Sequence, residues 1–193
     1  MHLRINKPET FYIKFIGQLP KKFELRETNG KIYFERFLDG RTPRIKFNMP
    51  VNGDYTTANN VEIIKRVDIE IPKMDFTLPP FERDRIKDFK IIHNPSLSNT
   101  PARVFTNEGI IEKGNQFNSY PKPVRVFFLL HEVGHFYYKT ESYCDLFALV
   151  NFLQMGYNMS TAVYALSNVL RRNQQNMERV MYIYNHLFKN KAK

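Results

Sequence analysis

The stretch from Phe127 to Leu149 reads FFLLHEVGHFYYKTESYCDLFAL and places two histidines and three carboxylates in one of the most apolar parts of the chain. Burying such groups is costly unless each finds a partner. His131, Glu132 and His135 form the pattern H-E-x-x-H. Residues four apart share a helix face, so both imidazoles can bind one metal ion while Glu132 stands beside it. The pattern therefore predicts a zinc site on a buried helix.

A catalytic zinc site has three protein ligands and one open position. We predict Glu141 as the third ligand, because it follows His135 by six residues and opens a second helix that Thr140 would cap. Asp145 lies one turn further on the same face and is predicted to accept a hydrogen bond from a ligand imidazole. The other candidates for the third ligand are Asp145 itself, His93 and His186.

Alternating apolar residues and turn signals predict a strand-rich first half, followed by helices. The predicted strands are Thr10–Gly17, Lys31–Phe37, Arg44–Met49, a strand ending in the alternation Val67 to Ile71, Arg85–Asn94, and a hairpin in Ala102–Gly114. The predicted helices run from Val124 to Tyr138, from Thr140 to Met155, from Ser160 to Arg172, and from Gln175 to Lys189. The fold class is α+β, with a β-rich module in residues 1–80 and the metal-binding domain in residues 81–193.

The composition limits the classes of function. The 193 residues carry a formal charge of +10, which favours anionic partners, but no zinc-finger spacing or nucleic-acid-binding motif accompanies it, so a specific nucleic-acid partner is not expected. There is no apolar run long enough to span a membrane and no signal-peptide pattern at the start. With Cys144 as the single cysteine, we expect a protein of a reducing cytoplasm, which would be the host cytoplasm if a phage encodes it.

The segments HEVGH and ESYCDLFA resemble the zincin metallopeptidases and are most similar to a gluzincin-like group that includes the ImmA/IrrE-type peptidases of bacteria and mobile elements. The resemblance covers roughly residues 103–150 and implies Glu132 as catalytic base and Asp145 as a supporting carboxylate. The metal ligands that it implies are His131, His135 and Glu141. Cys144 stands where that group usually has alanine, and the gap between His135 and Glu141 is shorter than usual. The resemblance further implies a zincin-like sheet with an edge strand, within Ala102–Gly114, that holds an extended peptide.

The sequence thus predicts a zinc-dependent metallopeptidase that acts on a peptide or protein substrate. An additional donor for the developing oxyanion is expected from Tyr137, Tyr138 or His186. The alternative is a structural component of a phage virion or similar assembly, built on a metallopeptidase-like fold, whose site is idle or used only in maturation. Other assembly subunits would then be its partners.

Overall fold

The computed structural model describes residues 1–71, 77–83, 88–98 and 100–168. Within these ranges the chain is a mixed α+β structure with three sheets and three α-helices, which confirms the predicted fold class at this level. Two compact units can be distinguished, one comprising Met1–Pro72 with Leu153–Thr161, the other Lys73–Phe152 with Ala162–Lys193. The sequence placed the boundary after residue 80 and did not assign residues 153–161 to the first unit.

The first unit contains two antiparallel sheets. Its strands are β1 (His2–Ile5), β2 (Glu9–Phe15), β3 (Lys22–Glu27), β4 (Ile32–Phe37), β5 (Arg44–Met49), β6 (Gly53–Thr56) and β7 (Val61–Asp68). One sheet has the order β1-β6-β3-β4 and the other the order β5-β2-β7. Strands β1 and β6 were not predicted because four residues give little periodic signal, and β3 was missed although its Phe23 and Leu25 alternate with charged residues. The predicted alternation beyond Asp68 is wrong as a strand, since β7 ends there and Ile71 is 54% exposed.

Aromatic side chains form the core of the first unit. Phe47 of β5 packs against Phe23 of β3 and Phe34 of β4, with ring centroids 5.4 and 5.2 Å apart. Phe15 of β2 meets Phe23 edge-on at 5.9 Å. Because these pairs join strands of different sheets, the two sheets share one apolar core in the manner of a β-sandwich. Each buried phenylalanine contributes about 1.5–3 kcal/mol of transfer free energy.

The second unit contains a mixed three-stranded sheet built from β8 (Lys90–His93), β9 (Ala102–Phe105) and β10 (Ile110–Lys113). β10 is central, parallel to β8 and antiparallel to β9. Glu112 of β10 accepts hydrogen bonds of 2.8 Å from Asn94 Nδ2 and Arg103 Nε, which join three segments of the sheet. The predicted hairpin is therefore present, and β8 lies within the predicted range Arg85–Asn94.

Three helices follow: α1 (Lys122–Gly134), α2 (Glu141–Gln154) and α3 (Met159–Asn168). α1 ends four residues before the predicted Tyr138, and α3 begins at Met159, so Ser160 lies in its first turn instead of capping it. Gly156 ends the α2 region with a φ of +85°, a conformation that glycine adopts without strain. The predicted end of the third helix and the predicted helix Gln175–Lys189 lie outside the described residues. No helix in the described ranges has both the length and the apolar character needed to cross a membrane.

Candidate metal centre

Helix α1 presents the two histidines at its C-terminal end. Pro123 occupies its first turn, where a missing N–H costs nothing, and the apolar residues after it bury one face. His131 lies in the last turn. His135 is the C-cap residue and keeps helical angles of φ −65° and ψ −18°, so the four-residue spacing still places both rings on one side. Their Nε2 atoms are 3.2 Å apart.

Helix α2 brings the third group to these two nitrogens. The backbone N–H groups of Tyr143 and Cys144 both donate to the carbonyl of Thr140 at 3.1 Å, so the helix begins directly after Thr140. Glu141, its first residue, places Oε2 3.3 Å from His131 Nε2 and Oε1 3.6 Å from His135 Nε2. The ligand atoms of the three residues all lie within 4.8 Å of one another. The structure thus brings together the three predicted ligands.

The spacing of these atoms fits a zinc ion. Zinc binds imidazole nitrogen and carboxylate oxygen at about 2.0–2.2 Å in tetrahedral geometry, which places neighbouring ligand atoms about 3.3–3.5 Å apart. The two Nε2 atoms are 3.2 Å apart, and Glu141 approaches them with different oxygens, Oε2 at 3.3 Å from His131 and Oε1 at 3.6 Å from His135. The side chain of Glu141 is 55% exposed, whereas those of His131 and His135 are largely buried. The site is therefore fixed on its histidine side and open to solvent on its glutamate side.

Asp145 contacts His131 on the side of the imidazole opposite the cluster. Its Oδ1 lies 2.8 Å from His131 Nδ1, and its side chain is fully buried. The buried Nδ1 makes no hydrogen bond of regular geometry in the described part of the chain, but at 2.8 Å the Asp145 carboxylate is close enough to accept its proton. A proton on Nδ1 leaves the Nε2 lone pair free to bind a metal, which is the role predicted for Asp145.

The metal-free site carries a perturbed histidine. Burial lowers the pKa of His131, but its hydrogen bonds to Asp145 and Glu141 outweigh that effect and raise the pKa to about 9. The ring is then protonated at neutral pH and takes the place that a cation would fill. A metal ion must displace this proton to bind.

Glu132 lies next to the cluster but is not one of its three ligands. Burial raises the pKa of its carboxyl; the nearby His131 lowers the pKa and the Glu141 carboxylate raises it further. A carboxylate whose basicity is increased in this way is better suited to take a proton from water. The role of Glu132 as a catalytic base stays a prediction.

The close approach of α1 and α2 depends on Gly134. A Cβ at this position would lie 2.9 Å from Cys144 Cα and 3.1 Å from its carbonyl oxygen. Both are backbone atoms of α2 that a rotamer change cannot move. Any side chain at residue 134 would therefore push apart the helices that carry the ligands. A glycine inside an apolar helix is a recognised sign of close packing, and this is the one sequence signal that points to the contact.

The turn after the motif is anchored to the segment 77–83. Tyr138 is fully buried, and its hydroxyl donates to the Pro79 carbonyl at 2.8 Å. Glu82 accepts a hydrogen bond from the Lys139 N–H at 2.6 Å, and the Glu82 N–H donates to the Tyr137 carbonyl at 2.9 Å. These bonds commit the Tyr138 hydroxyl to a structural contact, so it is a poor candidate for an oxyanion donor. The Tyr137 ring packs between Phe81 and Phe147.

The other residues considered as the third metal ligand do not join the cluster through a metal-facing atom in the described part of the chain. His93 is an exposed residue of β8 and does not belong to the cluster, and Asp145 contacts the far nitrogen of His131. His186 lies outside the described residues. Within the part of the chain that the structure describes, His131, His135 and Glu141 are the group that could hold a metal ion.

Two contacts at this centre could not be read from the sequence: the packing of Gly134 on Cys144 and the bond from Tyr138 to Pro79. Both join residues whose proximity depends on how the chain folds back on itself.

Comparison with protein-family models, with curated proteins and with solved structures finds no match for this chain.

Proposed function

We propose that this chain is a zinc-dependent metallopeptidase in which His131, His135 and Glu141 hold the metal. One observation carries the proposal: three metal-binding side chains of the required types converge at separations of 3.2–3.6 Å. Two histidines and one glutamate are a common ligand set of catalytic zinc in peptidases. Zinc is favoured over magnesium or calcium because these ions prefer oxygen ligands.

Bound zinc would supply a Lewis acid that polarises the peptide carbonyl and makes water nucleophilic near neutral pH. Glu132 would take a proton from the attacking water and later donate it to the leaving nitrogen. Asp145 would keep His131 in the tautomer and orientation that bind the metal. The open side of the cluster, next to the exposed Glu141, would admit the peptide.

Strand β9 is the candidate support for an extended substrate. It is hydrogen-bonded to β10 along one side, and the three-stranded sheet places it at an edge. It also packs against α1, the helix that carries the motif. An extended peptide can add to such an edge through main-chain hydrogen bonds. The resemblance of HEVGH and ESYCDLFA to zincins supports the same assignment and, with it, a zincin-like sheet. The fourth helix is proposed separately, from the helical spacing of apolar residues in Gln175–Lys189.

The test compares wild type with Glu132→Gln on a mixed peptide library, with cleavage products read by mass spectrometry. We expect cleavage by the zinc-loaded wild type, and a loss of about 10²–10⁴-fold in the variant, since the base is removed and the ligands remain. Metal analysis should find one zinc per chain in both proteins and none in His131→Ala. Equal cleavage by wild type and variant would refute the role of Glu132.

A second candidate is a structural role in an assembly, such as a phage virion, with the site idle or used only in maturation. The observation that favours it is the first unit, a β-sandwich with its own core that the proposed chemistry does not use. In this case neither wild type nor Glu132→Gln would cleave any peptide. The isolated protein would instead form defined complexes with other subunits, which native mass spectrometry would detect.

A further inference from the structure

Arg125 lies on the same face of α1 as Glu132. Seven residues separate the two, which corresponds to almost two full turns and a rotation of only about 20°. Along the helix axis the separation is about 10 Å. If Glu132 acts on the scissile bond, Arg125 lies on the side of the helix where the substrate would pass.

The described part of the chain offers no partner that explains Arg125. Its Nε is buried and has no hydrogen-bond acceptor among the described residues, although a buried donor without an acceptor is costly. The described residues also show no ion pair for this guanidinium. The first turn of α1 contains no acidic residue, and a cation near the positive end of a helix is disfavoured. Neither helix stability nor a salt bridge within the described residues therefore accounts for Arg125.

We infer that Arg125 binds an acidic side chain of the peptide substrate. This inference rests on the proposed peptidase function, since that function places the peptide on the Glu132 face. An extended peptide rises about 3.3 Å per residue, so 10 Å corresponds to about three residues. The preferred substrate then carries Asp or Glu about three residues from the scissile bond, on one side only. The guanidinium can hold a carboxylate through two parallel N–H bonds, which a neutral amide cannot match.

The experiment uses two peptide libraries, one with a fixed Glu and one with Gln at the same position. Zinc-loaded wild type is assayed for cleavage, and immobilised Glu132→Gln protein is assayed for retention of uncleaved peptide. We expect cleavage and retention of the Glu library to exceed those of the Gln library by about 10–100-fold, the value of a charge-assisted hydrogen bond. Both assays are repeated with Arg125→Gln, where the preference should vanish.

Lys122→Gln is the matched control, because it removes the same charge from an exposed position of the same helix, about 80° around the axis from Glu132. It should leave the preference for Glu unchanged. Arg125→Glu provides a second variant and should favour a library with Lys at the same position. These variants separate a direct contact from the general effect of positive charge.

The outcomes separate this inference from the function on which it rests. Cleavage of both libraries at equal rates by wild type overturns the role of Arg125 and supports the peptidase. Retention of the Glu library that depends on Arg125, without any cleavage, supports the contact and counts against the peptidase. Equal preference for Glu in Arg125→Gln and wild type, or no retention and no cleavage of either library, overturns the inference.

Discussion

Replacing Gly134 by alanine tests whether the metal centre depends on the close approach of α1 and α2. The new Cβ would lie 2.9 Å from Cys144 Cα, about 0.5 Å inside an ordinary van der Waals contact, and the clashing atom is backbone. Overpacking of this kind lowers the free energy of unfolding by about 1–3 kcal/mol, whereas the higher helix propensity of alanine raises it by about 1 kcal/mol. We therefore expect a net destabilisation of about 1 kcal/mol.

In a chain of this length, that loss lowers the melting temperature by about 2–4 °C, which differential scanning calorimetry can measure. The effect on zinc should be larger than the effect on stability. Glu141 lies on α2, and both histidines lie on or next to α1. Separating the helices by a few tenths of an ångström therefore lengthens the distances from Glu141 to the two imidazoles. We expect zinc affinity to fall at least about tenfold, in the range found when groups supporting a ligand are removed.

Competition with a chelating dye measures this affinity. Val133→Ala, a half-buried neighbour in the same helix, is the matched control and should leave the affinity within about twofold, as expected of a residue away from the ligand contacts. Gly134→Val should weaken binding further, because its side chain is larger. A Gly134→Ala protein with wild-type melting temperature and wild-type zinc affinity would refute the close packing of these helices.

Three further predictions concern the surroundings of the metal. In the metal-free protein the pKa of His131 is raised from 6.5 to about 9, so the stability that its proton contributes is present below pH 6.5 and is lost as the pH rises towards 9. Chemical denaturation across this pH range should show the free energy of unfolding falling by up to about 3 kcal/mol. His131→Gln should not show this fall. Zinc titration of Asp145→Asn should show an affinity about 10–100-fold weaker, and an unchanged affinity would contradict its contact with His131. Tyr138→Phe should lower the melting temperature by about 2–4 °C through loss of its bond to Pro79 but leave peptide cleavage unchanged; a large loss of turnover would restore this hydroxyl as an oxyanion donor.

The local elements were largely predictable because their signals are local. The period of apolar residues and the breakers around it gave β5 at its observed bounds and the extent of α2 to within about one residue. The strands β1 and β6 were not predicted because four residues carry little periodic signal; β3 was also missed, although its apolar and charged residues alternate. β1 and β6 form because each supplies the other's hydrogen bonds across a long stretch of sequence, whereas β3 pairs mainly with its chain neighbour β4.

The sequence by itself indicated which groups could bind a metal ion. His131 and His135 share a helix face because they are four residues apart, and Glu141 begins the next helix. Their placement within these helices therefore follows from the local conformation of the chain. The sequence left open whether Glu141, Asp145, His93 or His186 completes the set, since spacing fixes direction along a helix but not distance between helices.

Only the tertiary structure decided how the described candidates are arranged. The absence of a side chain at Gly134 lets α2 approach α1 until Glu141 reaches both Nε2 atoms and Asp145 reaches Nδ1 of His131. His93, on an exposed strand, stays outside the cluster. The physical reason is that the ligands of a metal site must be positioned to within a few tenths of an ångström, and the packing between helices sets that distance.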